Sequence, residues 1–147
     1  MDKGKPFAEG IAERAAEFPE WETEIRYYYE GWIHMIGDEI PGMYALECDL
    51  KAAGYKLYGL TNWSAETFCQ VRGKRIFTIL DGIVVSAEEK LLKPDPALYR
   101  ILLDRWSLRA EECLFVDDNP ANVIGARAVG MDAVPFTGAD DLRKMLL

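Results

Sequence analysis

Two adjacent carboxylates, Asp117 and Asp118, follow the apolar run Leu114-Phe115-Val116 and directly precede Asn119-Pro120. A run of this kind reads as a buried strand, with Asn119 as a helix N-cap and Pro120 in the first helical turn, so the acids stand where a strand hands over to a helix. In a parallel α/β sheet, ligands gather at the carboxyl ends of strands, which puts both acids at the mouth of a site. Neighbouring carboxylates repel unless one is protonated or a cation lies between them, and hard oxygen ligands suit Mg²⁺. The pattern implies metal-assisted chemistry on a phosphorylated substrate.

The elements that would position these groups are legible in the apolar spacing. Phe7, Ile11 and Ala15 mark a first helix ending near Phe18-Pro19. Trp21, Ile25, Tyr28, Tyr29, Trp32, Ile33 and Ile36 predict a second helix of roughly four turns, closed by Gly37, whose aromatics are expected in a core or helix contact or as a wall above a pocket. Pro41 opens a third helix through Met43, Leu46 and Leu50, and Gly54 ends it. Tyr55 to Leu60 reads as a buried strand running into Thr61-Asn62-Trp63-Ser64, where Ser64 caps the next helix. After a basic turn at Arg72 to Arg75, Asp81-Gly82 leads into the strand Ile83-Val84-Val85. Lys93-Pro94-Asp95-Pro96 then introduces a helix that buries Leu98, Ile101 and Leu102. Beyond the Asp117 strand and its helix, which stops at Gly130, come a short strand at Asp132 to Val134 and a last helix from Asp140 to Leu147. Strands alternating with helices at this spacing predict an α/β, Rossmann-like parallel sheet with right-handed crossovers.

Composition narrows the function classes. With 147 residues, half of them hydrophobic, the chain can bury a real core. Its formal net charge of -8 leaves no basic stripe to neutralise a nucleic-acid backbone. Cys48, Cys69 and Cys113 have no metal-ligand spacing and read as free thiols in a reducing compartment. No apolar run reaches membrane-spanning length and no signal-peptide pattern opens the chain, so a soluble, cytoplasmic protein is expected. Exposed Trp21 and Trp32 or an unpaired strand edge would favour association into oligomers. His34 is the single histidine. Packing is its expected role, ahead of a metal or catalytic one.

Thr61 with Asn62, Lys93, and Asp117 with Asp118 are each weak signals alone, since Thr61 could simply finish a strand, Lys93 could be solvated and Asp118 could favour a helix N-terminus. In this order they resemble the haloacid dehalogenase-like (HAD) hydrolases, from about Ile40 to the C-terminus. Leu60-Thr61-Asn62 is similar to the family's second motif, Lys93-Pro94-Asp95-Pro96 to its third and Phe115-Val116-Asp117-Asp118 to its fourth. The resemblance implies that Thr61 and the Asn62 amide bind phosphoryl oxygens, Lys93 neutralises charge on phosphate and nucleophile, and Asp117 with Asp118 organises Mg²⁺. Such donors suit the equatorial oxygens of a transferring phosphoryl group. The acid pair favours phosphate-ester hydrolysis of small metabolites such as sugar phosphates over metal-free dehalogenation. Residues 1–39 resemble part of a helical cap and 40–147 the α/β core, with Trp63 either in the pocket floor or in the core.

One departure separates the chain from the family pattern. The family's nucleophile is the first Asp of an Asp-x-Asp motif on its first strand, and no Asp-x-Asp occurs here. The resemblance therefore implies a chain that starts inside the cap and lacks a strand between those of Tyr55 and Cys113, as a fragment or a product begun at an internal Met. Without that carboxylate no aspartyl-phosphate forms and the chain alone would be inactive. The alternative is a non-catalytic phosphate- or metal-binding regulatory module. A receiver-like signalling domain is disfavoured by motif order, because there the acid pair comes first and the lysine last.

Overall fold

Every strand end that carries a candidate residue is followed by a capped turn or helix, and local chemistry explains why. In the computed structural model, which describes residues 1–147, Ser64 Oγ accepts the Thr67 N–H at 3.2 Å. The Asp95 carboxylate accepts the Ala97 N–H at 2.9 Å, and Asn119 Oδ1 accepts the Ala121 N–H at 2.9 Å. Pro96 and Pro120 occupy first-turn positions that need no N–H. These caps start three of the helices in the series α1 (Phe7–Glu17), α2 (Glu22–Glu30), α3 (Met43–Ala52), α4 (Ala65–Val71), α5 (Arg75–Thr78), α6 (Ser86–Glu89), α7 (Pro96–Arg105), α8 (Pro120–Ala128) and α9 (Ala139–Leu146). The strands are β1 (Tyr58–Thr61), β2 (Gly82–Val85), β3 (Leu114–Asp117) and β4 (Asp132–Pro135).

All strand pairing is parallel. Thr61 on β1 lies opposite Val85 on β2, and Asp117 on β3 lies opposite Pro135 on β4. β1 and β3 are not bonded to each other, so the strands form two separate pairs. The split falls where the resemblance implied a missing strand. Alternate residues face opposite layers, as the strand period requires. Phe115 packs with Tyr99 and Leu103 of α7 and Val123 and Ala126 of α8, whereas Val116 packs against Leu46 and Leu50 of α3 and Leu142 of α9. On β2, Val84 joins Leu98 and Leu102 of α7, and Val85 joins Phe68 and Val71 of α4. Leu60 of β1 touches the clusters behind both strand pairs, which ties the two halves into one core. The result is the expected α/β, Rossmann-like architecture.

The expected second helix is the main correction. The stretch Trp21–Ile36 is instead the end of a 3-10 turn (Pro19–Trp21), then α2, then a second 3-10 turn (Trp32–Met35). Gly31 ends α2, its N–H closing on the Tyr27 carbonyl at 2.7 Å. Glycine is a poor helix interior residue, and the break swings Trp32 onto Trp63, edge to face with centroids 5.8 Å apart. The tertiary contact overrides the helical period. Apart from Trp32 and Tyr29, the aromatics of this stretch are also not core: Tyr27 and Tyr28 on α2 are exposed, and Trp21, in the turn before it, is 56% exposed. Tyr29 is held on Phe7, with centroids 4.6 Å apart. His34 is exposed and stands in no cluster of metal-ligating groups. Short α5, which begins where the basic turn was expected to end, and α6 are helices the sequence reading did not assign. No helix is long and apolar enough to cross a membrane, and all three cysteines are free thiols.

Candidate active site

The split between β1 and β3 is bridged by side chains. Asn62, one residue past β1, holds the backbone of Lys93 on both sides: its Nδ2 donates to the Lys93 carbonyl at 3.0 Å and its Oδ1 accepts the Lys93 N–H at 2.8 Å. This fixes the loop before α7 against the end of β1. From there Lys93 Nζ reaches Asp117 Oδ2 at the end of β3, 2.6 Å away, with only about a tenth of either side chain exposed. The ammonium also lies 5.5 Å from the Phe115 ring centroid. One lysine thus spans the two strand pairs.

The Asp117 carboxylate is built to stay ionised. Its Oδ1 accepts the Asn119 N–H and the Asn122 Nδ2, each at 2.9 Å. Burial alone would push the carboxyl up, but the Lys93 hydrogen bond, those two donors and the Lys93 charge hold it below the usual carboxylate range. Asn122 is itself buried and positioned by Tyr99, whose hydroxyl donates to the Asn122 carbonyl at 2.8 Å. The Tyr99 phenol is pushed up to about 12, first by burial and then by the nearby Asp117 charge.

The expected site residues fall as follows. Thr61 is half-buried at the end of β1, next to the Asn62 clamp, and Lys93 and Asp117 are in direct contact. Asp118 is exposed and takes no part in the hydrogen-bond network. The sequence left the pocket floor and the core open for Trp63. It packs edge to face on Phe68 and Phe77 and also lines a cavity of about 540 Å³. Asn122 and Ser86 had no role assigned from the sequence. Asn122 had a signal, five residues after Asp117 on the first turn of a capped helix; Ser86, whose Oγ accepts the Trp63 N–H at 2.9 Å, had none.

Whether these residues suit a divalent cation follows from counting lone pairs. A carboxylate offers about four acceptor sites, and Asp117 has used three, two on Oδ1 and one on Oδ2. One Oδ2 position and the exposed Asp118 remain. Mg²⁺ commonly takes one or two carboxylates and completes its shell with water and phosphate, so the donor set fits.

Comparison with known proteins identifies the family. The family model described as haloacid dehalogenase-like hydrolase matches residues 4–130. A sesquiterpene phosphatase of Aspergillus oryzae is 40% identical over 65% of this chain and 49% of its own length. An (S)-2-haloacid dehalogenase of a Pseudomonas species is 35% identical over 58% of this chain and 38% of its own. This chain therefore spans half or less of the curated relatives to which it is compared. Among solved structures, a HAD family enzyme of Bacteroides thetaiotaomicron with magnesium and inorganic phosphate superposes with a TM-score of 0.79, at 18% identity, covering 99% of this chain and 78% of that one. With the family model spanning most of its length and the motif residues gathered at adjoining strand ends, the chain belongs to the haloacid dehalogenase-like hydrolases.

Proposed function

We propose that this chain carries the phosphoryl-binding half of a Mg²⁺-dependent phosphatase acting on small phosphorylated metabolites. The Lys93–Asp117 pair, suspended between the ends of β1 and β3 by the Asn62 clamp, is the observation that supports it most directly. An ammonium with one N–H committed to Asp117 has two left for phosphate oxygens. The Thr61 hydroxyl and the Asn62 backbone amide add neutral donors at the same strand end, so charge growing on the equatorial oxygens meets donors already in place. Asp117 and Asp118 would hold Mg²⁺, which when bound supplies Lewis-acid neutralisation of phosphoryl charge. Residues 1–39 act as part of a helical cap over residues 40–147.

A non-catalytic phosphate-binding module is the second reading, favoured by one specific fact: the chain has no Asp-x-Asp. Both readings give phosphate binding without aspartyl-phosphate chemistry in these 147 residues. They separate in a gene product that also carries an apolar strand ending in Asp-x-Asp. Mg²⁺-dependent release of phosphate from a generic ester by that product establishes the phosphatase. Binding of Mg²⁺ and phosphate with no turnover leaves the module. Metal-dependent turnover by the 147-residue chain overturns the assignment of the nucleophile to the absent motif.

A further inference from the structure

The organic part of the substrate is left open by the relatives, whose names include a sesquiterpene phosphatase, a glyceraldehyde 3-phosphate phosphatase and a phosphoglycolate phosphatase. The cavity beside Asn62 is more selective. Its volume of about 540 Å³ far exceeds what a phosphate group needs. It lies within the roughly 300–1,000 Å³ typical of small-molecule sites. Its apolar wall is Met1, Phe7, Tyr28, Trp32, Trp63 and Leu92. Asn62 lines this cavity and also holds the Lys93 backbone, so the cavity adjoins the phosphate end.

The polar groups in that wall are already occupied with one another. Trp63 Nε1 donates to Thr67 Oγ1 at 3.1 Å, and Thr67 Oγ1 shares a hydrogen bond with Ser64 Oγ at 2.5 Å. Ser64 Oγ also accepts the Thr67 N–H, and both hydroxyl residues are buried. The Asn62 amide is committed to Lys93 through both of its heavy atoms. Asp2 and Lys3 complete the lining, and both are exposed. A sugar ring carries a hydroxyl on nearly every carbon, and each needs a partner once it is buried. This wall offers aromatic faces instead.

Resting on the phosphoryl-binding reading, we propose that the substrate is a phosphate monoester of an apolar, prenyl-type alcohol, its hydrocarbon part seated among Phe7, Tyr28, Trp32, Trp63 and Leu92 while its phosphate meets Lys93. Of the sugar phosphates expected from the sequence, this keeps the phosphate and replaces the sugar. Calorimetric titration of the 147-residue chain in Mg²⁺ with geranyl phosphate, glucose 1-phosphate and inorganic phosphate tests it. Burying only two methylenes corresponds to about tenfold in affinity, so geranyl phosphate is expected to bind at least about tenfold tighter than glucose 1-phosphate. Its heat-capacity change should also be the more negative. Trp32→Ala should weaken geranyl phosphate more than glucose 1-phosphate. Equal affinity of the two esters, with inorganic phosphate competing against both, overturns the apolar pocket and leaves the phosphoryl site standing. Failure of all three ligands to bind overturns both.

Discussion

Asn62 grips Lys93 by its backbone, not its side chain: one amide group spans the Lys93 N–H and C=O at 2.8 and 3.0 Å. The ammonium is thereby left to Asp117 and to any bound anion. Asn62→Ala leaves the two part-buried Lys93 backbone groups without these partners and should cost about 1–3 kcal/mol of stability. Inorganic phosphate affinity should fall with it, because the lysine is no longer held over the strand ends. Chemical denaturation and phosphate titration of this variant measure the two effects. Asn62→Asp, which keeps one acceptor, should recover only part of the loss.

Lys93 and Asp117 neutralise each other in a site where about nine-tenths of each side chain is covered. Removing one partner strands the other charge, so Lys93→Met and Asp117→Asn should each destabilise by on the order of 2–4 kcal/mol. The double variant should lose less than the sum, and a double-mutant cycle by denaturant unfolding measures the difference. In a catalytically complete gene product each single change should also remove roughly 2–4 kcal/mol of transition-state stabilisation.

Asp117 has its folded pKa held down, so its contribution to stability is present above the ordinary aspartate value of about 3.9 and is lost as pH falls through the lower folded value. Native protein should lose stability in that acid window, and Asp117→Asn should flatten the profile there. Thermal melting from pH 5 downward reads the slope.

Glu47 on α3 behaves in the opposite sense. One of its oxygens is buried with no partner, and burial first, then the Glu39 charge, pushes its carboxyl up to about 7. A raised folded pKa means stability fully present below the unfolded value of about 4.3 and lost as pH rises toward 7. Glu47→Gln should therefore stabilise the chain at pH 8 by on the order of 1–3 kcal/mol, with little gain at pH 4. Melting temperatures of both proteins at the two pH values check it.

Gly125 sits on α8 against the loop that carries Lys93. A Cβ there would lie 2.8 Å from the Pro94 carbonyl oxygen and 3.0 Å from the Tyr99 hydroxyl. Gly125→Ala should cost about 1–3 kcal/mol through overpacking, despite alanine's better helix propensity. Because Pro94 adjoins Lys93, phosphate affinity should drop as well. Denaturation and phosphate titration, run as for Asn62→Ala, separate the two losses.

The local code was strong enough to read most elements from residue order. Ser64, Asp95-Pro96 and Asn119-Pro120 announce α4, α7 and α8 because a cap is chemistry between residues two or three apart. The sequence likewise placed Thr61 and Asp117 at strand ends and Lys93 in the loop before α7, since strand-loop-helix punctuation is local. What required the folded chain was everything depending on distant partners. Trp32 leaves the helical period because Trp63, 31 positions on, offers a better contact than the next turn of α2. The sequence marks Asp117 and Asp118 as an acid pair, but only the fold shows that three acceptor sites of Asp117 are filled by Lys93, Asn119 and Asn122, while Asp118 is exposed. The apolar character of the cavity is a tertiary property too: Ser64 and Thr67 are polar in the sequence and become unavailable only when they satisfy each other and the Trp63 indole. Residue types decide which bonds can form, but burial and the competition among partners decide which groups remain free to meet a ligand.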